Sequence, residues 1–233
     1  MENDCLKVMN NFEEKHCISI GDVAPDFTAN TTMGPIRLGD YKGNWVVLFS
    51  HPGDFTPVCT TEFICFAKLN NEFLKRNCNL IGLSIDSNPS HLAWVNNIHR
   101  TTGITIPFPI IADLNMDIAK KYNMIAPNVS NTSTIRSVYI IDPNQRIRCI
   151  LSYPKTCGRN IGEILRILES LQITDNQNVL TPANWVPNQA TIIPAPQTYK
   201  ELIERTNDNS MYTCLDWYLC FNENTNNSNN LNM

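Results

Sequence analysis

From residue 45 to residue 173 the chain alternates short apolar runs with amphipathic segments, and this alternation limits the fold more than any other feature. "WVVLFS" (45–50), "LIGLSID" (80–86), "FPIIAD" (108–113), "SVYIID" (137–142) and "RIRCILSY" (146–153) read as strands, most of them flanked by turn residues. Between them, 57–76, 88–100, 115–122 and 160–171 read as helices. Near-continuous apolar runs suit strands buried on both faces and covered by helices. "DPNQR" (142–146) is too short for a crossover, so the last two strands pair antiparallel and the sheet is mixed. The expected class is α/β.

After about residue 174 the character changes. "TPANWVPNQATIIPAPQTYKEL" carries four prolines and no long periodic segment, with "ATII" as one candidate strand. The reading places a main domain over 15–174 and a small module over 175–221. A tail follows over 222–233, where seven of twelve residues are asparagine, a composition that favours disorder.

The 233 residues carry a formal charge of −4, which argues against a nucleic-acid surface or a polybasic membrane anchor. No run is long and apolar enough to span a bilayer, and the start lacks the pattern of a signal or transit peptide, so a cytoplasmic protein is expected. Nine cysteines at irregular spacings, with no C-x-x-C, argue against a disulfide scaffold. Four histidines, with only His16-Cys17 adjacent to a cysteine, give little support for zinc. Any cysteine chemistry is expected to rest on one thiol.

"T-P-V-C" supplies a candidate. Threonine is a favoured N-cap and proline a favoured first helical residue, so Thr56 is expected at N-cap, Pro57 at N1 and Cys59 at N3. The capping geometry would bring the Thr56 oxygen near the Cys59 sulfur, at the positive end of the helix dipole, where a thiolate is favoured. A lone cysteine at a helix start is more often a small buried hydrophobe, so position alone does not decide. "H-P" upstream stiffens the connection and places His51 and Pro52 as walls of the pocket.

The longer string Pro52-x-x-x-Thr56-x-x-Cys59 resembles the active-site signature of peroxiredoxins. "GDVAPDFTANTT", "SHPGDFTPVCTTE", "LIGLSIDS", "HLAWV", "PFPIIAD" and "GRNIGEILRILESLQ" are similar, in order, to the one-cysteine class of the alkyl hydroperoxide reductase/thiol-specific antioxidant superfamily, from about Gly21 to Pro194. The resemblance implies a thioredoxin-like fold with a small C-terminal module, and a thiol peroxidase reducing hydrogen peroxide and alkyl hydroperoxides through a sulfenic acid on Cys59. It implies that Thr56 bonds the thiolate and the peroxide, that Pro52 shields the sulfur, and that Arg136 is the active-site arginine. Arg159 matches a second family arginine, supporting Glu62 and the pocket. His51 matches the one-cysteine class, with a packing role as the equal alternative.

No prosthetic cofactor or metal is implied. The reductant would be an external thiol such as glutathione or thioredoxin, and the assembly a homodimer, without nucleic-acid or membrane partners. Where two-cysteine members carry a resolving cysteine in "V-C-P", this chain has Leu180-Thr181. Some one-cysteine members carry a lipase-like G-x-S-x-G, and "K-G-N-W-V" (42–46) lacks the serine. Cys65, Cys78 and Cys149 read as buried structural thiols, Cys157 as able to approach the pocket, and Cys214 and Cys220 as unassigned. The alternative function is a redox-sensing or holdase-like binding protein on a thioredoxin fold.

Overall fold

The computed structural model describes residues 18–207 and 212–222. His16-Cys17, the first residues of the expected main domain and all but Asn222 of the Asn-rich tail lie outside the described residues. The chain divides into two compact units, Met1–Arg159 and Asn160–Met233. The sequence reading set its change of character at 174, inside a helix of the second unit.

A seven-stranded mixed sheet forms the first unit. Its strands are β1 (Thr28–Thr31), β2 (Gly34–Arg37), β3 (Trp45–Ser50), β4 (Cys78–Ser84), β5 (Ile110–Ala112), β6 (Arg136–Ile141) and β7 (Ile147–Tyr153), in the order β2-β1-β5-β4-β3-β6-β7. β3, β4 and β5 run parallel, and β6 returns antiparallel against β3 and pairs antiparallel with β7. Every residue of β3 and β6 is buried, as central strands covered on both faces require. The helices of this unit are α1 (Pro57–Lys75), α2 (Asn88–Thr102) and α3 (Asp117–Lys121). α1 packs on β4 and α2 on β5. The parallel β3–β4 and β4–β5 pairs need crossovers, and α1 and α2 supply them.

Two cores fill the faces. One gathers Leu38, Val46, Leu48, Ile81, Tyr122, Met124 and Ile141. The other is aromatic: Phe49 stacks on Phe66 at 4.1 Å between centroids, Phe108 packs against both, and Phe63 packs against Phe49 and Phe108. This second core lies under the first turns of α1. Gly82, in β4, makes room for it, because a Cβ there would sit 3.1 Å from Cζ of Phe63.

The second unit holds α4 (Ile161–Gln177), α5 (Tyr199–Asn207) and a three-stranded sheet, β8-β10-β9, of β8 (Thr191–Ile193), β9 (Thr213–Asp216) and β10 (Leu219–Asn222). Asn160 caps α4 by accepting from the Glu163 amide, and Arg166 donates to the carbonyl of buried Trp185. α4 runs six residues past its expected end, and α5 forms where no periodic segment was expected. Cys214 and Cys220, left unassigned by the sequence, face each other across β9 and β10 and are disulfide-bonded. No helix among the described residues is long and apolar enough to cross a membrane.

Candidate active site

β3 ends at Ser50, and residues 51–56 carry the chain to α1. Pro57 stands at N1, where its missing N–H is no loss, and Cys59 follows at N3, fully buried. Thr56 takes the N-cap backbone conformation, but its hydroxyl does not cap the helix. It turns back and donates to the Gly53 carbonyl at 2.9 Å. The expected capping contact toward N3 is thereby corrected: a local turn captured the hydroxyl, the usual competitor of a cap for serine and threonine. Phe55, just before it, is exposed and sits at φ 54°, in the left-handed region that a bulky residue rarely enters.

Arg136, the first residue of β6, reaches under the helix start. Its Nη1 donates to Cys59 Sγ at 3.2 Å and to Glu62 Oε2 at 2.8 Å. Its Nε and Nη2 donate to the Lys155 carbonyl at 3.1 and 2.8 Å, which fixes the fork. Glu62, one turn after Cys59, is the hub. Arg159 donates to it through Nη2 at 2.6 Å, Nε at 3.0 Å and its backbone amide at 2.8 Å. Arg159 Nη1 also donates to the carbonyls of Ser50 and Ser137, and its guanidinium lies over the rings of Phe49 and Phe66. Burial pushes the Arg159 guanidinium below its ordinary value, and Glu62 opposes the shift.

Two buried guanidiniums facing one carboxylate leave one positive charge uncompensated. The Cys59 sulfur, which accepts from Arg136, lies where a negative charge would complete the balance. Cys59, Glu62, Arg136 and Arg159, picked out at scattered positions of the sequence, therefore form one hydrogen-bonded cluster.

His51 is brought beside this cluster rather than into it. Its ring is fully buried, edge-on to Phe63 at 4.7 Å and stacked on Trp94 at 5.1 Å. Pro52 is half-buried in the same connection. Two residues absent from the sequence reading join His51: its Nε2 lies 3.0 Å from Asp54 Oδ1, and His91, from α2, lies 2.9 Å from Asp54 Oδ2 through Nδ1. The acid in "H-P-G-D" was the available signal for Asp54. His91, 37 positions further on, opens the "HLAWV" stretch, but nothing there ties it to Asp54.

With the fold and the cluster in place, the chain can be compared with known proteins. Residues 20–150 match the AhpC/TSA family model, and residues 170–209 match the C-terminal domain of 1-Cys peroxiredoxin. A "Peroxiredoxin 2" of Caldanaerobacter subterraneus subsp. tengcongensis is 60% identical over 87% of this chain and 91% of its own. The chain belongs to the peroxiredoxins.

As a peroxiredoxin it is a peroxidase, an oxidoreductase, on the thioredoxin-like fold. A peroxiredoxin of Aquifex aeolicus is 52% identical over 86% of this chain and 95% of its own. Among solved structures, a yeast mitochondrial 1-Cys peroxiredoxin matches with a TM-score of 0.77 and 41% identity, covering 88% of this chain and 99% of its own. A cysteine-to-serine mutant of peroxiredoxin 6 from Arenicola marina matches with a TM-score of 0.79 and 35% identity, covering 90% and 100%.

The remaining cysteines divide by surroundings. Cys78 is buried in β4, and burial pushes its thiol far up, toward inertness. Cys65, expected to be buried, instead sits on the outer face of α1 and is free and exposed, as is Cys157. Thr181, standing in place of the resolving cysteine of two-cysteine members, shares a hydrogen bond of 2.7 Å with Ser170 of α4.

Proposed function

We propose that the chain reduces hydrogen peroxide and small alkyl hydroperoxides by a one-cysteine cycle centred on Cys59. The Cys59 thiolate attacks one peroxide oxygen. The O–O bond breaks, the sulfur becomes a sulfenic acid, and the departing oxygen takes a proton to leave as water or alcohol. A first external thiol then displaces water to give a mixed disulfide, and a second returns Cys59 to the thiol as a disulfide of the reductant forms. Thiols of the glutathione or thioredoxin type suit this role, and the yeast mitochondrial relative is resolved via the glutathione/thioredoxin systems. No prosthetic group takes part in these steps.

The observation that carries the reading is the 3.2 Å contact from Arg136 to the Cys59 sulfur within the Glu62–Arg159 cluster. A fixed fork of donors favours the anionic nucleophile and stands ready for the charge that develops on the O–O bond. Thr56 contributes its hydroxyl oxygen as an acceptor, and Pro52 limits water at the sulfur. Peroxide consumption over many turnovers with an added thiol tests the reading. Consumption of a single equivalent would favour the redox-sensor alternative.

The Leu180-Thr181 pair supports a cycle without a dedicated resolver, in a reducing, cytoplasmic setting where external thiols are at hand. A homodimer is part of the same reading. The second unit exposes Tyr199, Leu215, Trp217 and Tyr218, apolar area that a partner copy would cover.

A further inference from the structure

Asp54 stands at the centre of a second polar cluster. Its side chain is almost fully buried, and it accepts from Ser90 Oγ at 2.8 Å besides the two histidines. Its own backbone amide donates to Asp86 Oδ2, which also accepts from Ser84 Oγ. Burial pushes the Asp54 carboxyl up, but the hydrogen bonds from His51 and His91 outweigh it and hold the group well below the usual carboxylate range. Asp54 is therefore a carboxylate, which can only accept.

Counting protons then fixes the rings. His91 faces acceptors on both sides, the Asp54 carboxylate at Nδ1 and the Ile111 carbonyl at Nε2, 3.2 Å away. A ring that makes both bonds needs both protons. His51 faces Asp54 with Nε2, which must be its donor, while its Nδ1 is buried without a hydrogen-bond partner among the described residues. Burial pushes His51 below its ordinary value against the pull of Asp54, so the ring is neutral and Nδ1 carries a lone pair. Donor atoms of the three groups lie within 4.8 Å of one another, a spacing open to a metal ion. Shared protons already account for each contact.

We propose that Asp54 and His91 are positioning residues for the peroxidase reaction: a buried carboxylate–imidazolium pair that pins the His51 proton on Nε2 and keeps Nδ1 as a lone-pair acceptor for the hydroxyl hydrogen of the peroxide. Leaving a buried nitrogen without a partner is costly, and a catalytic role is one reason a fold keeps such an atom. The ring lies next to the turn of α1 that carries Cys59. It packs on Phe63, one turn beyond Cys59, and on Trp94, whose indole donates to Thr60 beside Cys59. The ring cannot turn over without giving up its bond to Asp54.

This inference rests on the peroxidase reading, and its test separates the two. Nitrogen-15 spectra of the imidazole rings in the full chain at neutral pH should show His51 neutral and protonated on Nε2, and His91 protonated on both nitrogens. A His51 proton on Nδ1, or a neutral His91, overturns the proposal whatever the activity. In kinetics, Asp54→Asn should lower the rate constant for peroxide by about tenfold, the factor of one charge-assisted hydrogen bond. His91→Leu should lose a similar factor, whereas His91→Asn, which keeps a donor at the Nδ1 position, should stay within about threefold of the wild type. Equal loss in both His91 variants, or none in His91→Leu, contradicts the positioning role. A wild-type protein that consumes no peroxide sinks the peroxidase reading instead, and the ring spectra then decide the cluster alone.

Discussion

Glu62 joins two arginines whose charges would otherwise repel inside the first unit, and its removal is the most disruptive single change at the site. Glu62→Gln takes the carboxylate away from the two buried guanidiniums and leaves at least one of their charges uncompensated, a loss of about 3–5 kcal/mol that urea unfolding should register. The expectation fails if the variant unfolds at the wild-type urea concentration. Thr56→Val keeps the shape and deletes the hydroxyl, and should slow peroxide reduction, read as the bimolecular rate with hydrogen peroxide. His51 supplies a pH dependence. Its folded value is lowered by burial, so the unfolded chain binds a proton that the folded one does not. Stability should be full above about pH 6.5 and fall as pH drops below it, by at most about 1.4 kcal/mol per unit from this group. His51→Leu should flatten that slope in unfolding curves taken between pH 7 and 5. An unchanged slope would mean that the ring titrates alike in both states.

At the scale of elements, β4 and α1 meet at Gly82 and Phe63. Gly82→Ala places a methyl 3.1 Å from a ring wedged among Phe49, Trp94 and Phe108, which leaves no room to yield. The overpacking should cost about 1–3 kcal/mol in urea unfolding. Full stability would show that Phe63 can shift. Elements of this kind were legible to very different degrees. β3 was read at its own bounds because "WVVLFS" is an unbroken apolar run, and α1 because proline at N1 marks its start. β1 and β2, "TANT" and "GPIR", were not read as strands, since their pairing with each other and with β5 is decided by the sheet edge and not by an apolar pattern. α5 escaped because "YKELIERTN" buries no residue and so carries no core stripe. At the site, the cysteine, arginines and glutamate were legible through the family resemblance, whereas the direction of the Thr56 hydroxyl and the His91 contact depend on loop and tertiary geometry.

For the whole molecule, the absence of a cysteine at Leu180-Thr181 sets what happens after the first oxidation. With one equivalent of peroxide and no reductant, Cys59 should hold a sulfenic acid trapped by dimedone, and excess peroxide should carry it to the sulfinic acid. Cys65 lies six residues along the same helix, roughly 9 Å by rise alone, beyond the about 7 Å that a disulfide tolerates between Cα atoms. Cys214 and Cys220 are engaged with each other. A stoichiometric disulfide from Cys59 to another cysteine in the mass spectrum would overturn the one-cysteine cycle. The exposed apolar side chains of the second unit should be covered in a homodimer, and sedimentation at micromolar concentration showing only monomer would contradict that.

Cys59, held by Arg136, is proposed as the peroxide-reducing nucleophile. Hydrogen peroxide consumption by the purified protein with an excess of a small thiol, compared with Cys59→Ser and Arg136→Ala, tests it most directly. The account predicts sustained turnover in the wild type, none above background in folded Cys59→Ser, and a rate reduced by about a hundredfold in Arg136→Ala, the scale of one lost transition-state donor. Undiminished turnover in Cys59→Ser would contradict it.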